Sequence, residues 1–336
     1  MNAATCASLA PDRFVLGIGT SSPVIVEEWN GLALARPYQR ARDTLVFLRA
    51  ALAGEKVSGQ YETFTVRGFR LDPPPAQPPG LALAALRPGM VRLAASLADG
   101  AITNWLAPVD VPTVRAVAGP ACELIARIFV VPTDDAATAR AVGRRMIAAY
   151  LTVPVYAAFH AWLGRGEVLR PMQDAWAAGD RKRALELIPD ELVDELVVHG
   201  PAAACRERVA EYHATGLDTP VIMIVPAPGV DEAAAVRQLA PPAPGYAGAA
   251  ASRAGRDHQE PGSAAPYQDS MIRCAMDTGG GSNTSPVAIA AVSCPRVNQR
   301  ASAISSWSTT ISCSPGARAT KPSIRLRGIG HGWLPT

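Results

Sequence analysis

Five short apolar runs, separated by longer amphipathic stretches, constrain this chain more than any other feature. They fall at residues 13–19, 81–85, 101–105, 123–131 and 219–225. Rich in Val, Ile, Leu and Ala and mostly bounded by Gly, Pro or Asp, they match buried parallel strands. Helical periodicity lies between them. Ala41, Thr44, Leu45, Leu48 and Leu52 recur at helical spacing, and Gly54 is placed to end that helix in left-handed geometry. Pro88 fits the first turn of a helix that stops near Asp99-Gly100. Thr133-Asp134-Asp135 offers a capping hydroxyl and two carboxylates to an Ala-rich helix. Gly200-Pro201 opens another, with Cys205, Val209 and Tyr212 on its apolar face and Gly216 as its stop. Strands and helices alternating in this order predict an α/β fold with parallel βα units, either doubly wound or closed into a barrel.

Two segments depart from the alternation. Residues 57–69 carry β-type residues (Tyr61, Phe64, Val66) and lead into a Pro-rich return over 73–79, an excursion from the sheet. Residues 150–189 are irregularly helical and gather Tyr150, Tyr156, Phe159, Trp162 and Trp176, an insertion late in the fold. An eight-stranded barrel takes about 250 residues. Five strands over this length therefore predict a barrel domain at 11–230 holding only strands four to eight, with the chain starting inside the third helix. From 241 to 336 the sequence turns rich in Ala, Gly, Pro, Ser and Arg with little periodicity, and disorder is expected there.

The formal net charge of +3 is unevenly spread. From Ala251 onward there are nine Lys and Arg against four Asp and Glu, leaving 23 against 25 before that point. The main body therefore carries no basic footprint for nucleic acid. No apolar run approaches the roughly 20 residues of a spanning helix, and the N-terminus lacks the pattern of a secretory signal, so no membrane partner and a cytoplasmic location are expected. The cysteines at 6, 122, 205, 274, 294 and 313 show no CxxC and no His pairing at metal-ligand spacing, so no metal is expected.

Gly17-Ile18-Gly19-Thr20-Ser21-Ser22 closes the first strand, yet Ser22 stands where a GxGxxG fingerprint needs its third glycine, and no P-loop lysine comes after it. On generic grounds it is a strand-ending turn. Taken together with the segments downstream of it, the run resembles a known family. The segment Arg13-Phe14-Val15-Leu16-Gly17-Ile18-Gly19-Thr20-Ser21-Ser22 is succeeded by Arg42-Asp43 and Ala53-Gly54, then by Ala84-Ala85-Leu86-Arg87-Pro88-Gly89-Met90 and Ala98-Asp99-Gly100. In this order they are similar to the luciferase-like (β/α)8 family, within it to the branch of oxidoreductases that use the deazaflavin coenzyme F420. The resemblance extends from about residue 11 to 226. Ala126-Arg127-Ile128-Phe129-Val130 resembles the seventh strand, and the helix from Gly200-Pro201 to Gly216 resembles the one leading into the eighth.

The resemblance implies roles. Gly19, Thr20, Ser21 and Ser22 would line the cofactor ring or its ribityl side, and Ala85, Leu86 and Arg87 would hold the cofactor phosphate. An anion there suits a helix N-terminus beside a guanidinium. Some sugar-phosphate-oxidising members carry Glu and Asn after the turn, where this chain has Ser22 and Ile25. The expected function is hydride transfer between F420 and an organic substrate. The alternatives are an FMN-dependent monooxygenase using oxygen and an incomplete, inactive remnant. A small molecule is the expected partner, and a homodimer the assembly considered.

Trp29, Trp105 and His160 are the candidates to line a substrate space, against the commoner alternative that aromatic residues and a lone His are simply packed. His199, ahead of Gly200-Pro201, is expected to be a cation near the carbonyls of a helix C-terminus. No catalytic residue is assigned, because such a cofactor carries the chemistry and the protein supplies orientation.

Overall fold

The computed structural model describes residues 1–240 and the strand Ala288–Ser293. The chain opens with α1 (Asn2–Leu9) and β1 (Phe14–Gly19), followed by a π-helical turn, Val24–Trp29, and α2 (Pro37–Leu52). A separate hairpin of β2 (Val57–Gln60) and β3 (Thr65–Phe69) precedes β4 (Gly80–Ala84), α3 (Pro88–Leu97) and β5 (Gly100–Asn104). Next come α4 (Val111–Ala118) and the nine-residue β6 (Glu123–Val131). Five helices form the insertion: α5 (Ala136–Leu151), α6 (Pro154–Trp162), α7 (Gly166–Ala177), α8 (Arg181–Glu186) and α9 (Asp190–Leu196). The chain returns through β7 (Val197–His199), α10 (Ala202–Ala214), β8 (Thr219–Ile224) and α11 (Glu232–Leu239), and the last described element is β9 (Ala288–Ser293).

Strands β1, β4, β5, β6 and β8 lie side by side in chain order and are all parallel. A doubly wound sheet reverses its strand order at a switch point. This one does not, which is the winding of a barrel. Among the described residues the sheet stays open, with β9 antiparallel against the outer edge of β1 and β8 bonded only to β6. β6 is long enough to serve three neighbours. β5 pairs with it from Glu123 to Arg127 and β8 from Ile125 to Val130, so they occupy opposite edges. β7 pairs at Phe129 to Val131, opposite β8, and so continues β5's edge beyond that strand's end.

Side-chain alternation sorts the sheet into two faces. One face, with Leu16, Ile18, Leu83, Leu124, Ala126, Ile128 and Ile222, packs on Leu45 of α2, Val91 of α3, Val114 of α4 and Tyr212 of α10. The opposite, concave face carries an apolar layer of Ala82, Ile125 and Val221 with Val15 and Ile102 against it. The insertion builds a second core around Ile147, Leu151, Met172 and Val193 that reaches Trp105 and Phe129.

The five strands fall where the sequence pattern places them. Helix α1 precedes the first strand, where a helix is expected, while α4, α11 and the three-residue β7 are additional, since none announces itself by a long apolar period. The cap of α5 is Asp135, which accepts from the amides of Ala137 and Thr138 at 3.0 and 3.2 Å, while Thr133 Oγ1 accepts from the Asp135 amide. His199 does not lie in the last turn of a helix, the position expected for it. It belongs to β7, and its Nε2 faces Asp194 Oδ1 at 2.8 Å. Of the segment expected to be disordered, 241–287 and 294–336 lie outside the described residues, and Ala288–Ser293 is a strand.

Carboxylates stitch the N-terminal ends of the strands together. Asp99 accepts from the Leu81 amide at 2.7 Å and pairs with Arg49 at 2.8 Å. Asp218 accepts from the Leu124 amide at 2.7 Å and pairs with Arg115. Thr219 Oγ1 donates to Glu123 Oε1 at 2.6 Å. In the first two cases an acid one residue ahead of its own strand takes up an amide near the start of the neighbouring strand.

Candidate functional site

The candidate site lies at the opposite, C-terminal ends of the same strands. β1 and β4 are paired neighbours, Ile18 opposite Leu83, so the turn from Gly19 to Ser22 and the turn from Ala85 to Arg87 emerge beside each other. A Cβ built on Gly19 would stand 2.9 Å from the Ala84 Cβ, so only glycine permits this approach. Ser21 is held at φ 60°, a left-handed conformation that a side-chain-bearing residue adopts only when its surroundings impose it. Ala84 is exposed on the concave face and presents only a methyl there, while Gly19 is buried beside it.

Arg87 is the N-cap of α3, with its side chain exposed, and among the described residues no hydrogen bond or ion pair engages its guanidinium. Pro88 occupies the first helical position and lacks an N–H, so the free amides are those of Gly89 and Met90. A Cβ on Gly89 would meet nothing within 4 Å, so that terminus is open. Exposed guanidinium and unspent helix amides together make an anion site.

Further along the same face, β5 and β6 contribute Asn104 and Arg127, which are partners in register. Asn104 Nδ2 donates to Tyr156 Oη at 3.3 Å, while its Oδ1 is buried with no partner. The Arg127 guanidinium lies 4.8 Å from the Phe129 ring centroid and 6.0 Å from that of Tyr150, and its Nε is likewise buried and unpartnered. Burial pushes the Tyr156 phenol up, against the opposing pull of the Asn104 bond and the Arg127 charge, so it stays a proton donor at neutral pH. Trp105, Phe129, Tyr150 and Tyr156 form one aromatic wall, with successive centroid separations of 4.2, 6.0 and 5.5 Å.

The structure thus joins the two turns expected to act together but scatters the three substrate candidates. Trp29 is exposed on the π-helical turn after Ser22. Trp105 is 1 % exposed and stacked on Phe129, a wall component rather than an open surface. His160 is fully enclosed, and burial together with the Arg165 charge pushes its imidazole down to about 3 against the opposing pull of the Trp105 backbone. It is a neutral core residue, because desolvation of the charged form has no compensating acid. Sequence reasoning misses Asn104, Arg127, Tyr150 and Tyr156 as site residues. One signal is available: Arg127 interrupts an otherwise apolar strand, where an unpaired cation is costly.

A cleft at the other end of the sheet is lined by Asp12, Gln77, Pro79, Gly80, Asp99 and Glu123. It makes a poor alternative, since Asp99 and Glu123 are already spent on stitching the strands.

A family profile described as luciferase-like monooxygenase matches residues 1–219. A Mycobacterium tuberculosis protein carrying the provisional name of coenzyme F420-dependent oxidoreductase is 29% identical over 271 residues, 71% of this chain and 76% of that protein. The 5,10-methylenetetrahydromethanopterin reductase of Archaeoglobus fulgidus is 26% identical over 230 residues, 63% of this chain and 68% of its own. Among solved structures, the coenzyme F420-dependent tetrahydromethanopterin reductase of Methanopyrus kandleri superposes with a TM-score of 0.57 at 17% identity, covering 71% of this chain and 75% of that one. That likeness establishes the fold, a parallel α/β architecture matching the barrels of such proteins.

Proposed function

The chain belongs to the luciferase-like monooxygenase family, and from that premise we propose that it is an oxidoreductase exchanging a hydride between a deazaflavin, F420, and an organic substrate. The observation that carries this reading is the side-by-side emergence of the Gly19–Ser22 and Ala85–Arg87 turns at one end of paired strands. F420-dependent proteins among the relatives support the choice of cofactor.

The residues fit such a group. Thr20, Ser21 and Ser22, with the Ala84 methyl and the close turn that Gly19 allows, would lie against a planar ring, and Arg87 with the Gly89 and Met90 amides offers the phosphate its charge and donors. Ala85 and Leu86 shape the turn between them. When bound, the deazaflavin supplies the hydride donor or acceptor, and the protein orients it. Asn104 and Arg127 present the buried, unsatisfied polar atoms that a ligand on the concave face would complete, and the aromatic wall keeps water from that side. No general base is required of His160, whose depressed basicity leaves it unprotonated at working pH.

Titrating the purified chain with F420 and, separately, with FMN tests the proposal. F420 is expected to bind the more tightly, and Arg87→Glu to weaken it by more than about tenfold, since a charge-assisted phosphate contact is replaced by repulsion. Tighter binding of FMN would support the oxygen-dependent alternative within the family. Failure of both to bind would support the inactive remnant.

A further inference from the structure

We propose that Arg127, backed by Asn104 and Tyr156, is the receptor for a carboxylate carried by the organic substrate, whose apolar body lies beside Tyr150 and Tyr156, the two part-exposed rings of the aromatic wall. The inference deepens the reading of the concave face given above and rests on it.

Arg127 differs from the arginines that hold this fold together. Arg165 is bonded by Asp110 and Glu195, Arg140 by Asp190 and Asp194, and Arg115 by Asp218 and the carbonyls of Gly119, Cys122 and Gly216. Arg127 has neither an acid nor a carbonyl among the described residues. On an apolar strand, between Ile125 and Phe129 of the same face, it is half-buried. What holds it is aromatic: the faces of Phe129 and Tyr150 attract the planar cation. A ring accepts none of the guanidinium's hydrogen bonds, so its N–H groups are left for another partner. One of them, on Nε, is already desolvated without an acceptor.

The neighbouring groups ask for the same ligand. Asn104 stands opposite Arg127 in register and spends an Nδ2 proton on Tyr156 Oη, so the phenol receives one hydrogen bond and still has its own proton to donate. A planar, bidentate acceptor meets the guanidinium edge, and the phenol supplies a second type of donor. A carboxylate has that geometry. Because the adjoining surface is aromatic and offers few polar groups, the body attached to the carboxylate is apolar.

Calorimetric titration of the full chain with benzoate, benzamide and inorganic phosphate tests this, using the wild type, Arg127→Gln, Arg127→Lys and Tyr156→Phe, each checked for an unchanged melting transition. Benzoate is expected to bind, with benzamide, its neutral counterpart, weaker by roughly tenfold or more. Arg127→Gln should lose about tenfold or more for benzoate, Arg127→Lys less, and Tyr156→Phe several-fold, with F420 affinity unchanged in all three. Benzoate affinity that ignores Arg127→Gln, or no benzoate binding by the wild type, overturns the proposal. So does Arg127-dependent binding of phosphate in place of benzoate, which would assign a phosphoryl group. Loss of F420 rather than benzoate binding in Arg127→Gln would also overturn it while leaving the oxidoreductase reading intact. Arg127-dependent benzoate binding in a chain that takes up no F420 would sustain the carboxylate site and sink the cofactor reading.

Discussion

The two ends of the same sheet are built on opposite terms. At the N-terminal end the polar groups are spent on one another: Asp99 on the Leu81 amide, Asp218 on the Leu124 amide, Glu123 on Thr219. At the C-terminal end, Asn104 Oδ1, Trp105 Nε1 and Arg127 Nε are buried without partners; left-handed backbone occurs at both ends, at Asp12 (φ 58°) ahead of β1 and at Ser21 and Trp105 (φ 60° and 54°) after β1 and β5. Unsatisfied atoms and left-handed backbone each cost of the order of 1–3 kcal/mol. One end is arranged to lower the energy of the fold, and the other keeps groups unspent for a ligand. That division is the one barrel enzymes show between their lower and upper faces.

A costly loop persists only if its surroundings over-determine it. The loop leaving β5 at Trp105 is anchored by Arg165, which donates to Asp110 at 2.9 Å and to Glu195 at 2.6 Å, while Asp110 also takes the Ala107 amide at 2.7 Å. Burial works against the Arg165 charge, and the bonds to Glu195 and Asp110 more than restore it. Arg165→Met should therefore have the largest effect, a loss of about 3–5 kcal/mol from leaving Asp110 buried and unpaired. Urea denaturation measures it. A loss under about 1 kcal/mol would show that the strained loop is held by other means.

His160 gives the second effect, visible only as acid is added. Its folded value of about 3 lies below the ordinary 6.5, so between those limits the unfolded chain takes up a proton that the folded chain refuses. Stability thus falls as pH falls through that window, by up to about 1.4 kcal/mol per pH unit. The carboxylates of Asp43 and Asp194, held below their ordinary value, lose their contribution only in stronger acid, whereas burial raises Asp110, whose earlier protonation in the folded chain works in the opposite direction; the histidine is therefore read as the difference between the wild type and His160→Leu from about pH 6.5 to about 4.5. Midpoints for His160→Leu should flatten there and match the wild type at about pH 8. An unchanged acid limb would mean that the imidazole protonates in place.

The range of each interaction decides how much of the molecule is legible in the sequence. The strands and major helices are, because the periods of Leu81 to Leu83 or Ala41 to Leu52 are local. The adjacency of the Gly19 and Arg87 turns requires only that successive βα units stack in order. Helix α4 is hidden in a short stretch behind Pro108 and Pro112. The Asn104–Arg127–Tyr156 cluster is hidden because its third member comes from the insertion, whose packing across the strand ends no local pattern encodes. Trp105 and His160 are misplaced for the same reason: an aromatic or a histidine near a strand end has the same sequence signature whether it faces a ligand or a core.

Asp218→Ala comes next in size. It removes the acceptor of the Leu124 amide and the partner of Arg115, and a loss of about 1–3 kcal/mol is expected in chemical denaturation, with cofactor affinity unchanged. Loss of cofactor binding at equal stability would break the division between the two ends.

Arg127→Leu should show the smallest change in stability and the most telling sign. Removing the guanidinium forfeits its contacts with Phe129 and Tyr150, about 1 kcal/mol, and relieves a desolvated Nε that cost at least as much. The denaturation midpoint should stay the same or rise, whereas Asp218→Ala lowers it. A residue whose removal costs the fold nothing is being retained for something other than the fold. A fall of about 2 kcal/mol or more, well beyond the cation–π contribution, would instead make Arg127 a structural member of the aromatic wall and erase the contrast on which the ligand assignment stands.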